Sequence, residues 1–229
     1  MRASTASRLA RVSAALFGGS CFLCRGAARG LLCGECDAEL PRLLQPLCPR
    51  CALPSPAGAI CGRCLREAPH YDATIAALEY RFPADALVQA LKFRGELALA
   101  SLLGTALAGR VSLEDIDSVI PVPLSSSRLR SRGYNQAVEI ARHVAREKLD
   151  LTACVRVGDS APQTGLDLAS RRHNVRGAFR CTRPLEGARV AVVDDVMTTG
   201  ATLDEIARVL KQAGAARVVN WVVARTLEN

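Results

Sequence analysis

The residues best suited to chemistry lie between Arg189 and Leu203. An apolar run, Val190 to Val193, delivers two adjacent acids, Asp194 and Asp195, followed by Thr198, Thr199, Gly200, Ala201 and Thr202. Paired carboxylates repel an anion, so they suit ribose hydroxyls and the Mg²⁺ that accompanies them. The hydroxyl- and glycine-rich turn, with a helix expected to begin near Thr202, offers backbone N–H groups and hydroxyl donors that form a nest for a monoester phosphate. An ordinary strand–turn–helix, with Asp195 opening the turn and Thr202 capping the helix, uses the same residue types singly but does not account for the whole run.

A second anion site is expected after Pro121-Val-Pro123, where Arg128, Arg130 and Arg132 lead through Gly133, Tyr134, Asn135 and Gln136 into a helix. Cationic forks before a helix N-terminus suit a pyrophosphate. Arg132, beside Gly133, is the stronger ligand candidate; Arg128 and Arg130 fit a solvated basic loop equally well. The donors of Pro162 to Leu166 and of Arg171 to Phe179 suggest a lid that closes over the pyrophosphate and excludes water.

Eight of the ten cysteines fall in a duplicated pattern: Cys21, Cys24, Cys33 and Cys36, then Cys48, Cys51, Cys61 and Cys64. Each CxxC turn presents two sulfurs, and two turns complete the tetrahedron of structural Zn²⁺, leaving no open position for substrate or water. Disulfides would require an oxidising compartment, and only a faint leader-like stretch at Val12 to Gly19, preceded by arginines, points to one. A reducing, cytoplasmic setting is therefore expected. Pairing within each block is simpler than pairing between blocks, but the spacing allows both. Cys154 and Cys181 have no CxxC partner and are expected to be buried small hydrophobes.

The elements that must position these groups follow from periodicity. Strands are expected at 74–81, 117–122, 153–157, 189–193 and 217–224, and helices at 85–93, 97–109, 135–149 and 202–213 with a stop at Gly214. Short Val- and Ile-rich strands alternating with helices imply an α/β fold with a parallel sheet, whose ligands bind at the carboxyl ends of the strands. Cysteine content shifts sharply near His70, which sets the expected domains as a tail at 1–20, a double zinc ribbon at 21–66 and the α/β domain at 71–229. The longest apolar stretch, Leu97 to Gly109, falls well short of the roughly 20 residues that a bilayer span needs. The net charge of +8 falls to about +4 once eight thiolates bind two zinc ions. Residues 125–180 still carry eleven basic residues against five acidic ones, a local surface for an anionic partner.

The run Val190 to Thr202 resembles the phosphoribosyl pyrophosphate signature of the type I phosphoribosyltransferases. That resemblance assigns Asp194 and Asp195 to the ribose hydroxyls, and Thr198, Thr199, Gly200, Ala201 and Thr202 to the 5′-phosphate. Together with the duplicated cysteines, the segments at 130–137, 162–166 and 171–179, and Leu91-Lys92-Phe-Arg-Gly95, the chain resembles the ComF family of competence-related proteins from about Cys21 to Arg225. The resemblance implies a type I phosphoribosyltransferase-like domain preceded by a double zinc ribbon, with Lys92 and Arg132 at the phosphoribosyl pyrophosphate and Arg132 and Arg171 as candidate catalytic groups. It also implies Mg²⁺ with that ligand, and single-stranded DNA or a DNA-uptake helicase or channel protein as partners. The alternative is a Mg²⁺-dependent transferase acting on a small-molecule base or nucleotide-salvage substrate, with no DNA role. No general base is identifiable, since His70, His143 and His173 lack a convincing context.

Overall fold

The computed structural model of the protein describes residues 19–157 and 175–227. They divide into two units, one ending at Pro41 and the other beginning at Arg42. The boundary expected near His70 lies inside the second unit. There Leu43, Cys48, Cys51, Ala52 and Cys64 share one buried cluster with Val190, Val192, Leu203 and Val222, so the second cysteine block travels with the sheet.

The first unit holds a two-residue ladder, β1 (Gly19–Ser20) against β2 (Ala27–Ala28), and a short helix α1 (Gly34–Ala38). The second unit opens with a similar cysteine module, closed by α2 (Gly62–Arg66). It continues as β3 (Ala73–Glu79), α3 (Ala84–Phe93), α4 (Leu99–Ala108), β4 (Ser118–Pro121), α5 (Ser126–Arg132), α6 (Gln136–Ala145), β5 (Cys154–Arg156), β6 (Phe179–Cys181), β7 (Arg189–Met197), α7 (Ala201–Gln212) and β8 (Arg217–Arg225). Strands β3, β8, β7 and β4 form one sheet in that order, every pairing parallel. The central strands β7 and β8 are buried along most of their length, so they read as valine-rich runs, Val190–Val193 in β7 and Val218–Ala224 in β8 interrupted by Asn220, without polar alternation. In α7 the buried Leu203, Ile206, Ala207 and Leu210 recur at helical spacing and make the stripe that packs on the sheet.

Helices α4 and α6 approach closely at Gly104. A Cβ there would stand 2.6 Å from His143 Cβ and 2.9 Å from the Ile140 carbonyl oxygen, so only glycine fits. His143 itself is exposed. Cys154 and Cys181 face each other across the antiparallel β5–β6 pair, with Cys154 buried and Cys181 half-buried.

Besides β6 and the short helices α1 and α2, which have no expected counterpart, three differences bear on the site. Strand β7 runs on to Met197 because its pairing with β8 continues through Asp194↔Val222, Val196↔Ala224 and Met197↔Arg225; both acids therefore sit in the strand, and Asp195 does not open the turn. The basic stretch before Gly133 is a helix, α5, capped by Ser125 Oγ accepting from the Arg128 N–H at 3.3 Å and ended by Gly133 at φ 81°. Helix α6 stops at Ala145, and a 3₁₀ turn, Arg146–Lys148, takes up the rest. Among the described residues no helix is long and apolar enough to cross a membrane.

Candidate functional site

Two tetrathiolate clusters are present, and pairing is sequential: Cys21, Cys24, Cys33 and Cys36 form one, Cys48, Cys51, Cys61 and Cys64 the other, with the sulfurs of each within 4.8 Å of one another. The two modules share a backbone plan. The Arg25 N–H donates to the Cys21 carbonyl and the Ala52 N–H to the Cys48 carbonyl, both at 2.9 Å, while the Cys21 and Cys48 N–H groups close onto Gly26 at 2.7 Å and Leu53 at 2.8 Å. Cys24 and Cys33 Sγ are 3.7 Å apart, and Cys51 and Cys61 Sγ 3.5 Å. Zn–S bonds of about 2.3 Å give tetrahedral edges of roughly 3.8 Å, so both clusters fit zinc. The electrostatics agree. The Cys24 backbone N–H is the largest influence drawing the Cys21 thiol down to about 6. Burial pushes Cys48 up, but the N–H groups of Cys61, Cys51 and Arg50 outweigh it and hold that thiol at about 7. In each block the main chain thus favours the thiolate form of one cysteine, the form that binds a metal. These are the two zinc-binding sites of a double zinc ribbon.

The acids and the hydroxyl-rich turn meet at the carboxyl end of β7. A cavity of about 410 Å³ opens there, lined by Asp194, Asp195 and Thr198 from β7 and its turn, Thr202 from the start of α7, Lys92 from α3, and Arg128, Arg132 and Gln136 from α5 and α6. Asp195 is 2% exposed. Lys92 Nζ stands 2.9 Å from its Oδ2, an ion pair by distance, yet that oxygen receives no hydrogen bond of good geometry among the described residues. A buried carboxylate oxygen with spare acceptor capacity is the donor-seeking feature that ribose hydroxyls or a hard cation satisfy. Burial, then the neighbouring Asp195 charge, push Asp194 well above the usual carboxylate range, while Lys92 opposes them.

Gly200 turns β7 into α7. Its φ of 85° is left-handed, which requires glycine, and a Cβ would also lie 2.6 Å from Met197 Cε and 3.2 Å from Tyr71 Oη, so the flexible methionine end would have to move. Thr199 Oγ1 accepts from the Ala201 N–H at 3.3 Å, and Thr199, Gly200 and Ala201 line a second cavity on the far side of the loop.

The cationic side is built from α3 and α5. The Arg132 guanidinium donates to Gln136 Oε1 and lies 5.4 Å from the Phe93 ring centroid, a cation–π contact that fixes its plane. Burial pulls the Arg132 pKa down and Asp195 draws it back up. Tyr134 Oη donates to the Leu91 carbonyl. Asn135 caps α6 through Oδ1 while its Nδ2 donates to the Val122 carbonyl at 2.9 Å. The segment read as a ligand loop thus clamps α3, β4 and α6 together. Arg128 joins the cavity lining, whereas Arg130 does not. Arg171 and the part of the expected lid up to residue 174 lie outside the described residues; of the rest, Val175 and Arg176 line the second cavity, the Gly177 N–H donates to Glu205 Oε1 at 2.7 Å, and Phe179 opens β6.

Several residues at the site carry no motif in the sequence. Tyr80 and Arg156 line the cavity, and the buried Arg225 donates to the carbonyls of Met197 at 3.0 Å, Thr198, and Thr226 at 2.7 Å. The available signal for Arg225 was a charge ending a strand, Val218 to Ala224, that is apolar apart from Asn220. His70 gains a partner as well, with Nδ1 3.2 Å from Asp204 Oδ1.

A double zinc ribbon domain model matches residues 12–65, and a phosphoribosyl transferase domain model matches residues 106–228. The DNA utilization protein YhgH of Salmonella typhimurium is 37% identical over 223 residues, covering 91% of this chain and 98% of that protein. Competence protein F of Haemophilus influenzae is 33% identical over 223 residues, covering 90% and 96%. Competence protein ComFC of Bacillus subtilis is 25% identical, covering 85% and 84%. Among solved structures, an allosteric regulatory enzyme of purine biosynthesis is similar at 27% identity with a TM-score of 0.37, over 54% of this chain and 25% of that one. A purine phosphoribosyltransferase from Pyrococcus horikoshii is similar at 21% identity with a TM-score of 0.33, over 55% and 81%.

Proposed function

The chain belongs to the ComF family of proteins that join a double zinc ribbon to a phosphoribosyltransferase domain, and on that premise we propose that it binds 5-phosphoribosyl pyrophosphate with Mg²⁺ at the carboxyl end of β7, in the service of DNA uptake or utilization. The observation that carries this reading is the pair Asp194–Asp195 just ahead of the Thr198–Thr202 segment, with Asp195 Oδ2 buried, faced by Lys92 Nζ at 2.9 Å and otherwise without a hydrogen bond among the described residues. The acids accept from the ribose hydroxyls, and the turn and the start of α7 take the 5′-phosphate. Arg132 and Lys92, with Arg171 from outside the described residues, answer the charge of the pyrophosphate. Mg²⁺, when bound, would neutralise the pyrophosphate further, and Asp194 and Asp195 are the residues that would help to hold it.

If an acceptor attacks the anomeric carbon, the bond from that carbon to the pyrophosphate oxygen breaks, the bonding pair leaves with the pyrophosphate, and the configuration inverts. In that event Arg132 and Lys92 are placed to stabilise the charge growing on the leaving group. The DNA connection comes from the names of the relatives, a DNA utilization protein and a competence protein. We carry it to this chain as binding of single-stranded DNA, or of a helicase or channel protein of DNA uptake, in the cytoplasm.

Calorimetry of 5-phosphoribosyl pyrophosphate with Mg²⁺ tests the pocket. The double variant Asp194→Asn, Asp195→Asn should weaken binding by roughly two to four powers of ten, at about 1.5–3 kcal/mol for each lost charge-assisted hydrogen bond. Helical circular dichroism should stay unchanged. Equal affinity in wild type and variant refutes the assignment. For the DNA arm, log affinity should fall with log salt by about 0.7 per phosphate neutralised; binding that ignores salt, or is absent at low salt, removes it.

A further inference from the structure

We propose that the second zinc centre is a working part of the phosphate loop, with Arg225 as the positioning residue that joins them. This rests on the reading of Thr198–Thr202 as the 5′-phosphate site. Arg225 ends β8, paired in register with Met197 on one side and Glu79 on the other, and its side chain is fully buried. Nε donates to the carbonyl of the zinc ligand Cys51 at 2.9 Å, while Nη1 donates to the carbonyls of Met197 and Thr198. A second arginine repeats the link. Arg63, between the ligands Cys61 and Cys64, sends Nη2 to the Thr199 carbonyl at 3.1 Å. Tyr71 packs in the same buried cluster as Cys51, Cys64 and Met197, with its hydroxyl beneath Gly200.

Three consecutive carbonyls of the loop, those of Met197, Thr198 and Thr199, are therefore held from the zinc side. In a trans peptide the N–H points opposite to its C=O. Fixing those three oxygens aims the N–H groups of Thr198, Thr199 and Gly200 away from the zinc module, in the sense an anion nest requires. The charge balance works the same way. Four thiolates around one Zn²⁺ carry a net charge of −2, opposite in sign to the buried Arg225 guanidinium that bonds to Cys51. Loading the centre locks Cys51, Cys51 locks Arg225, and Arg225 holds the loop in its binding shape.

Coupling of this kind is reciprocal: if zinc favours the loop that binds phosphate, the ligand must favour retention of that zinc. The experiment uses the full chain. Zinc is titrated away with a chromophoric zinc chelator, in excess Mg²⁺, with and without saturating 5-phosphoribosyl pyrophosphate, and the two zinc ions are followed separately through Cys24→Ser and Cys61→Ser controls. We expect the ligand to tighten the second zinc by about tenfold, within the range usual for linked sites, and to leave the first unchanged. Arg63→Ala, which keeps Arg225 and all eight sulfurs, should reduce the tightening and weaken ligand binding severalfold while still holding two zinc ions. Arg225→Lys should abolish the tightening. If that variant does not fold, Arg63→Ala and the wild-type titration decide. Ligand shown to bind while leaving both zinc affinities unchanged overturns the coupling. No ligand binding to the zinc-loaded wild type instead overturns the phosphoribosyl reading beneath it.

Discussion

The knuckle at Cys21–Cys24 and the one at Cys48–Cys51 make the same hydrogen bonds, and in each the residue after the second cysteine is left-handed, Arg25 at φ 65° and Ala52 at φ 56°. Their surroundings differ. In the first cluster Cys24 is exposed and Cys33 and Cys36 half-buried; in the second Cys48, Cys51 and Cys64 are all buried. Main-chain groups of the second are also used elsewhere, Pro49 O accepting from Thr74 at the start of the sheet and Cys51 O from Arg225. Duplication supplied two equal metal sites, and packing gave only one of them a place in the core of the α/β unit.

The widest separation is expected from matched ligand substitutions. Cys51→Ser removes a zinc that holds part of the sheet's own core, and should cost several kcal/mol, lowering the melting midpoint of the second unit by roughly 10–20 °C. Cys24→Ser should lose one zinc per chain and leave that midpoint and the affinity for 5-phosphoribosyl pyrophosphate within error. Scanning calorimetry with elemental analysis reads both. Equal losses from the two variants would erase the distinction drawn from burial.

Zinc release should separate the two sites without mutation. The apolar shell around a metal controls solvent access to it, and hydrogen-bonding partners behind the ligands, such as Arg225 behind Cys51 in the second cluster, are commonly worth about 10–100-fold. With a chelator in excess, one zinc per chain should therefore leave roughly ten times faster than the other. The faster ion should be the one that Cys24→Ser abolishes. A single phase for both ions would mean that the exposed Cys24 does not set the rate.

A smaller effect is expected at the loop itself. In Gly200→Ala the left-handed backbone costs about 1–2 kcal/mol, and the added methyl presses on Met197 and Tyr71. The strain falls on the side that faces the second cluster, so ligand affinity should drop about tenfold while both zinc ions remain. Loss of the second zinc in this variant would show that the loop and the metal are more tightly bound to each other than the hydrogen bonds require.

Much of this arrangement was legible before any coordinates. Period and composition located the parallel sheet, the eight sulfurs and the run from Asp194 to Thr202, because apolar strands, CxxC turns and a Thr/Gly turn each have local signatures. What was not legible depends on contacts remote in sequence. Nothing near Arg225 says that its side chain will reach Cys51, 174 residues away, or the loop 27 residues away. A break in cysteine content near His70 marks a change in chemistry, whereas unit boundaries follow buried contacts, and Cys48, Cys51 and Cys64 make theirs with the sheet. The end of β7 was set short for a related reason: two acids look like the end of a strand until the partner strand is known to stay paired through Arg225.

The finest distinction lies at the two left-handed residues. Glycine adopts that conformation without the cost of a Cβ, a relief of roughly 1 kcal/mol partly offset by the greater entropy of the unfolded chain. In the first module Arg25 is exposed, and what it gives up is a cation–π contact with Phe22 at 5.8 Å, near the outer limit of about 6 Å and worth at most about 0.5–1 kcal/mol at an exposed site. Arg25→Gly should therefore raise zinc affinity at the first site slightly, by about twofold or less. In the second module the Ala52 methyl is 1% exposed, and losing it costs about 0.8 kcal/mol, which cancels the relief. Ala52→Gly should leave the second site where it was. Competition with a chelator of known affinity reads both variants, and a larger gain at Ala52 than at Arg25 would mean that burial of the second knuckle does not separate it from the first.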